Sequence, residues 1–103
     1  MNGKFTAAQR DLYSAVLTVQ RECVKLCRAD ANMSLDDIHK VSEEGLRKEL
    51  TRLGFDLGTS RHALSGILYP HHVGHYVGID LHDCSSYGRV RTLRQGQVVT
   101  IEP

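Results

Sequence analysis

Apolar positions in the first quarter of the chain recur at alternating steps of four and three residues. They are Leu12, Val16, Val19, Cys23 and Leu26. This period predicts an amphipathic helix with one apolar stripe, running to about residue 28. Thr6, followed three residues later by Gln9, is typical of an N-cap with a capping box, so the helix is expected to begin there.

A second helical stripe follows a connection at residues 28 to 32. Its apolar positions are Leu35, Ile38, Val41, Leu46, Leu50 and Leu53. Ser34 suits the N-cap, Asp36 and Asp37 place negative charge in the first turn, and Gly54 suits the C-terminal stop. Because each helix has a single stripe, we expect it to pack against another helix or a sheet.

The second half of the chain changes to turns and then to a period of two. Residues 55 to 65 are rich in turn formers, and residues 67 to 81 alternate as an extended segment interrupted by Gly74 and Gly78. These glycines suggest bulges or a close approach of backbone. Residues 97 to 102, QVVTIE, predict a further strand. The predicted fold class is therefore α+β, with two amphipathic helices followed by antiparallel strands.

Composition narrows the classes of function. The 103 residues are 41% hydrophobic and 24% charged, as in one small globular domain or part of a larger one. A net charge of +1 with scattered basic residues argues against nucleic acid or an anionic membrane surface as a partner. No apolar run approaches the ~20 residues that span a bilayer. Three cysteines without a CxxC motif favour reduced thiols in a non-secretory compartment.

Candidate chemistry is concentrated in HHVGHYVGIDLHD, residues 71 to 83, which holds four of the six histidines. Imidazole is a common ligand of transition metals and shuttles protons near neutral pH. His71 and His75 have the spacing of an HExxH zinc helix. However, His72 stands where that motif needs glutamate and Gly74 weakens a helix, so this interpretation fails.

An extended conformation places the histidines differently. On a strand, one face carries His71, Val73, His75, Val77 and Ile79. His82 has the opposite parity, so a bulge or turn at Gly78 must shift the register before it can meet His75. Composition alone leaves open the plainer interpretation, an exposed strand with no ligand among its histidines.

A carboxylate ends the second predicted strand. Within VVTIE, Thr100 and Glu102 share the polar face, while Val99 and Ile101 point the other way. An acid at the end of a buried strand needs a metal, a cation or hydrogen bonds to offset its desolvation, although a solvated strand end is the alternative. Together with His75, Glu102 would give mixed nitrogen and oxygen ligation suited to Mn, Co or Zn.

PHHVGHYVGIDLHD followed by GQVVTIEP resembles the signature of the aminopeptidase P and prolidase branch of the pita-bread metallopeptidases, M24. The matching residues are His71, His75, Gly78, Asp80, His82, Asp83, Thr100, Glu102 and Pro103. Gln95 and Gln97 depart from the proline and methionine usual in the family. The opening NGKFTAAQRDLYSAVLTVQRECVKLC looks most like the mitochondrial Xaa-Pro aminopeptidases, or intermediate-cleaving peptidases, so the resemblance covers nearly the whole chain.

The resemblance implies metal-assisted hydrolysis of the bond between an N-terminal residue and a following proline. It implies two divalent ions, with Mn favoured over Co or Zn. By position, His75 is the expected histidine ligand and Glu102 the first of two glutamate ligands. His71 and His82 are the expected catalytic histidines, which contact substrate beside the reacting carbonyl. The implied location is mitochondrial, or cytoplasmic otherwise, and a homo-oligomer stays open.

The family's two aspartate ligands and its last glutamate ligand have no counterpart in this sequence. In the family the aspartates precede the first of these helices, and the glutamate follows the position of Pro103. We therefore expect residues 1–103 to be a partial catalytic domain, incomplete at both ends and inactive by itself. The alternative is a metal-free pita-bread module that binds protein or nucleic acid, although such modules typically lose the histidine and glutamate retained here.

Overall fold

Two helices form the framework of the chain, as the sequence predicts. The computed structural model describes residues 3–58, 63–80, 82 and 86–103. Helix α1 spans Ala7–Leu26 and helix α2 spans Leu35–Arg52, joined through a 3-10 turn at Ala29–Ala31. Helix α1 thus ends two residues before the predicted end at 28.

Both predicted N-caps are present. The Thr6 hydroxyl accepts a hydrogen bond from the Gln9 amide at 3.2 Å, and the Gln9 side chain accepts one from the Thr6 amide at 2.9 Å. Ser34 and Asp37 form the same reciprocal box at the start of α2. The hydrogen bonds from Ser34 lower the pKa of the Asp37 carboxyl. These bonds satisfy backbone donors of the first turn, and so they fix where each helix begins.

The helices pack through small and medium side chains. The buried face of α1 carries Ala15, Val19 and Cys23, and that of α2 carries Leu35, Ile38, Ser42, Leu46 and Leu50. A Cβ atom at Gly45 would lie 3.1 Å from Val19, so the helices approach closely there.

The predicted stripe of α1 is wrong at two positions. Leu12 and Val16 are 40% and 36% exposed, while Ala15, outside the predicted stripe, is fully buried. Leu12 and Val16 instead line an apolar hollow of about 290 Å³. Hydropathy alone does not distinguish these two environments.

Regular strands are not confirmed in the part of the chain that the structure describes. A π-helical turn at Leu64–Leu68 replaces the beginning of the extended segment predicted from residue 67. Beyond it, an isolated antiparallel bridge joins Tyr76 to Val99. On one side of this bridge, the Thr100 amide donates to the His75 carbonyl at 2.9 Å, and the Glu102 amide donates to the Val73 carbonyl at 2.6 Å.

Side chains interrupt the backbone hydrogen bonds between two segments, residues 73–77 and residues 98–102. The His75 amide donates to the Thr100 hydroxyl rather than to a carbonyl, and the Val73 amide donates to the His39 ring. At Gly74 a Cβ atom would overlap the Thr100 carbonyl oxygen, which confirms the predicted close approach of backbone. The segments are therefore antiparallel in direction without forming a regular sheet pair.

The non-helical half covers one side of the helix pair. Tyr69, Val73, Tyr76 and Leu93 are buried with the helix residues in one core, and Val99 and Ile101 pack against it. Asp83 of the family signature lies outside the described residues, as do Ser60, His62, Leu81 and Cys84. Within the described ranges, no helix is long and apolar enough to cross a membrane.

Candidate metal centre

The four candidate site residues predicted from the sequence lie around one cleft of about 450 Å³; they are His71, His75, His82 and Glu102. Its lining consists of His71, His72, Gly74, His75, His82, Arg89 and Glu102. The cleft therefore combines imidazole nitrogens, one carboxylate and one guanidinium.

His75 is held on both sides by Thr100. Its amide donates to the Thr100 hydroxyl at 3.1 Å, and its carbonyl accepts from the Thr100 amide at 2.9 Å. The ring Nδ1 lies 3.0 Å from the Tyr76 carbonyl oxygen, which can only accept, so Nδ1 carries the hydrogen. In the neutral ring, Nε2 then has a free lone pair, which is the arrangement that metal-binding histidines use.

Glu102 faces that lone pair. The Glu102 Oε1 atom lies 3.3 Å from His75 Nε2. Two ligand atoms about 2.1 Å from a shared ion are roughly 3.0–3.4 Å apart at octahedral to tetrahedral angles, so the pair fits one divalent ion. The Glu102 side chain is 56% exposed and the His75 side chain 14%, which leaves the carboxylate open to further partners.

The register of the two segments explains this meeting. Because Glu102 pairs with Val73 and Thr100 pairs with His75, His75 and Glu102 are diagonal neighbours across the pair. Val99 and Ile101 pack on the core, as the predicted alternation of VVTIE requires. Thr100 and Glu102 are then left on the side of the cleft.

His82 lies beside His75 although its strand parity is opposite. The two ring centroids are 5.0 Å apart and the rings meet at 87°. The chain bends at residues 78 to 80, where the predicted change of register begins at Gly78. The structure thus places His82 at the cleft beside His75, after bends at residues 78 to 80.

The predicted common face of Val73 and His75 is wrong. Val73 is fully buried in the core, whereas His75 lines the cleft. A bend at Val73 and the close contact of Gly74 with Thr100 break the period of two between them. His71 lies at the mouth of the cleft, where its Nδ1 is 3.0 Å from the His72 carbonyl oxygen and its ring meets Tyr69 edge-on at 4.8 Å.

Sequence reasoning overlooked His39, Asp36 and Arg89. Arg89 lines the cleft, and its carbonyl accepts a hydrogen bond from the Asp36 amide at 3.2 Å. His39 lies on the inner side of α2, and burial, followed by the nearby His72, lowers its pKa. His39 lies three residues before Ser42 and seven before Leu46, both of which are buried. The helical period could therefore have shown that His39 faces the interior.

His75 and Glu102 form a pair rather than a complete metal site. Among the described residues, no three histidine, cysteine, aspartate or glutamate side chains are grouped so that they could hold a metal ion. A divalent ion at this pair would need further ligands from elsewhere.

Comparison with known proteins decides the family. Residues 1–103 match the sequence model of metallopeptidase family M24. The chain belongs to metallopeptidase family M24. The chain is 51% identical over 102 residues to intermediate cleaving peptidase 55 of Saccharomyces cerevisiae, and this match covers 99% of the chain and 20% of the yeast protein. It is 39% identical over 105 residues to Xaa-Pro aminopeptidase 3 of Mus musculus, covering 100% of the chain and 20% of that protein.

Solved structures show the same relationship. The crystal structure of Icp55 from Saccharomyces cerevisiae with 58 N-terminal residues deleted matches with a TM-score of 0.86 and 50% identity. The match covers 96% of residues 1–103 and 23% of the Icp55 chain. The apstatin-bound form of Icp55 matches with a TM-score of 0.81 and 48% identity, and the match covers 96% of residues 1–103 and 24% of the Icp55 chain. The chain therefore has the fold of the corresponding part of a pita-bread M24 peptidase. It spans about one fifth of the length of these curated relatives.

Proposed function

We propose that residues 1–103 are a partial catalytic domain, incomplete at both ends, of a metal-dependent Xaa-Pro aminopeptidase. The observation that carries this proposal is the pairing of His75 Nε2 with Glu102 Oε1 at 3.3 Å, with the other ring nitrogen hydrogen-bonded to backbone. The name of the mouse relative, Xaa-Pro aminopeptidase 3, supplies the proposed reaction, which is release of a first residue that precedes proline.

The proposed cofactor is a pair of divalent ions, with Mn²⁺ favoured. His75 and Glu102 would hold metal, and the two aspartates and second glutamate of the family would come from outside these residues. When bound, such ions lower the pKa of water and polarise the scissile carbonyl. Since two ligands cannot fix a dinuclear site, the 103-residue chain is proposed to be inactive by itself.

The side chains of the cleft have separate proposed tasks. The exposed oxygen edge of Glu102 would accept a proton from the attacking water and pass it toward the leaving imino nitrogen. His71 and His82 would donate hydrogen bonds to the carbonyl oxygen as charge develops on it. Because the Nδ1 of His71 faces the His72 carbonyl, its Nε2 can donate to substrate only when the ring is an imidazolium.

The proposed location of the whole protein is the mitochondrion. Support comes from the relative in Arabidopsis thaliana named intermediate cleaving peptidase 55, mitochondrial, which is 38% identical over 98% of the chain and 20% of that protein. The proposed substrates are peptides with proline at the second position, as the name of the mouse relative suggests.

The decisive experiment assays the full-length gene product on an Xaa-Pro peptide, with and without a chelator. Chelation and the substitutions His75→Ala and Glu102→Gln are each expected to reduce kcat/KM by about 100-fold or more. Glu44→Gln, at an exposed carboxylate of α2, is the matched control and should retain activity. Chelator-insensitive hydrolysis would refute metal dependence, and unchanged activity of His75→Ala would refute its assignment as ligand. A full-length protein that binds no divalent ion would support the non-catalytic alternative.

A further inference from the structure

Two stacked imidazoles connect helix α2 to the segment that carries His75. His39 belongs to the second turn of α2, and His72 immediately precedes Val73. Their ring centroids are 4.5 Å apart with an angle of 21° between planes. None of the proposed catalytic steps uses either ring.

His39 accepts a hydrogen bond from the main chain of the cleft segment. The Val73 amide donates to His39 Nδ1 at 3.2 Å, across a separation of 34 residues. Val73 is fully buried, so an amide that lost this acceptor would have little access to water. An unpaired buried amide is costly, which makes the ring a specific anchor for this peptide rather than a space filler.

The anchored residue is adjacent to both proposed ligands. The Val73 carbonyl accepts the Glu102 amide at 2.6 Å, and His75 follows two residues later. A displacement of Val73 would therefore move the Glu102 backbone directly and the His75 backbone through Gly74. Gly74 cannot absorb such a displacement toward Thr100, because the two backbones are already in contact.

His72 provides a second attachment to the same helix. Its Nε2 lies 3.1 Å from Asp36 Oδ1, and its Nδ1 lies 3.0 Å from the Gly74 carbonyl oxygen. The Asp36 amide in turn donates to the Arg89 carbonyl. The first two turns of α2 thus hold Val73, which lies in the core, together with Gly74 and Arg89, which line the cleft.

We propose that His39, assisted by the Asp36–His72 pair, is a positioning residue that fixes the separation of His75 and Glu102 for a divalent ion. This inference rests on the proposed function, because it assumes that the two side chains bind metal. His39 itself touches neither metal nor substrate in this arrangement and acts through the Val73 peptide.

The test compares Mn²⁺ affinity, measured by direct titration of the metal-free full-length protein, across matched variants. His39→Leu removes the acceptor at similar size and should weaken Mn²⁺ binding by about tenfold, within the range for groups that orient metal ligands. His39→Asn keeps an acceptor at the position of Nδ1 and should recover most of that loss. Ser42→Ala removes the buried hydrogen bond from Ser42 to Tyr69, one turn along the same helix, and should leave Mn²⁺ affinity unchanged.

The outcomes separate this inference from the proposed function. Wild-type protein that neither binds Mn²⁺ nor cleaves an Xaa-Pro peptide would refute the proposed function. Wild-type binding with unchanged affinity in His39→Leu, or equal losses in His39→Leu and Ser42→Ala, would overturn the positioning role alone. Should circular dichroism show that His39→Leu does not fold, Asp36→Ala decides instead. A weakening of at least threefold in Asp36→Ala supports the proposal, and unchanged affinity overturns it.

Discussion

The helix pair and the cleft segment satisfy their backbone hydrogen bonds in different ways. Within α1 and α2, donors find carbonyls one turn away, and the N-caps are supplied by side chains three residues distant. In the cleft segment, the Val73 and His75 amides find side-chain acceptors 34 and 25 residues away. The helices are thus stabilised by many repeated local bonds, whereas the candidate metal centre depends on a few individual side chains. Substitutions should therefore affect the two regions differently.

The largest expected effect is a loss of free energy of unfolding when the core between the helices and the non-helical half of the chain loses packing. Leu35 is fully buried at the start of α2. Leu35→Ala should lower the free energy of unfolding by about 2–5 kcal/mol, because it removes apolar contacts and leaves a cavity. Urea unfolding followed by circular dichroism measures this. A change below about 1 kcal/mol would show that the core does not connect the two regions as described.

A smaller effect, localised to the cleft, is expected at Gly74. Gly74→Ala forces the new Cβ atom into the Thr100 carbonyl and should cost about 1–3 kcal/mol as the segments separate. It should also weaken divalent metal binding by the full-length protein. Gly88→Ala is the matched control, because its Cβ atom would meet only the Val90 side chain at an ordinary 3.7 Å. Equal stability of the two variants would contradict the close approach at Gly74.

Thr100 tests the dependence on individual acceptors. Thr100→Val keeps the shape of the side chain and removes the acceptor of the His75 amide, so a loss of about 1–2 kcal/mol is expected. Thr18→Val provides the comparison within a helix, since the exposed Thr18 hydroxyl donates to the Ser14 carbonyl one turn away. That change should stay within about 0.5 kcal/mol. Similar losses at both positions would remove the distinction between the regions.

The smallest expected effect is the pH dependence that His39 contributes. Burial and the neighbouring His72 and His71 lower its pKa, while Glu43 and Asp36 oppose the shift. The unfolded chain therefore binds more protons in acid, and this part of the stability is lost as pH falls through 6.5 toward the folded pKa. His39→Asn should make the free energy of unfolding less dependent on pH over that window. An unchanged pH dependence would contradict the partly buried, neutral state of the His39 ring.

Local patterns in the sequence predicted the two helices and four of the residues that line the cleft, His71, His75, His82 and Glu102. Thr6 with Gln9 located the first helix start as a capping box, and Ser34 located the second as an N-cap followed by the negative charges of Asp36 and Asp37 in the first turn. The spacing of His75 and Glu102 within a family signature brought them forward as one candidate site.

Only the tertiary structure decided which surfaces are buried and what holds the cleft together. Leu12 and Val16 fit the helical period but are exposed, because α1 turns Ala15 inward and approaches Gly45 of α2 through Val19. Val73 and His75 fit one strand face but point apart, because Gly74 meets Thr100. His39 has no local signature as an acceptor, since its donor lies 34 residues away. Hydropathy and spacing encode which side chains prefer burial, whereas the pairing of distant donors and acceptors arises only when the chain has folded.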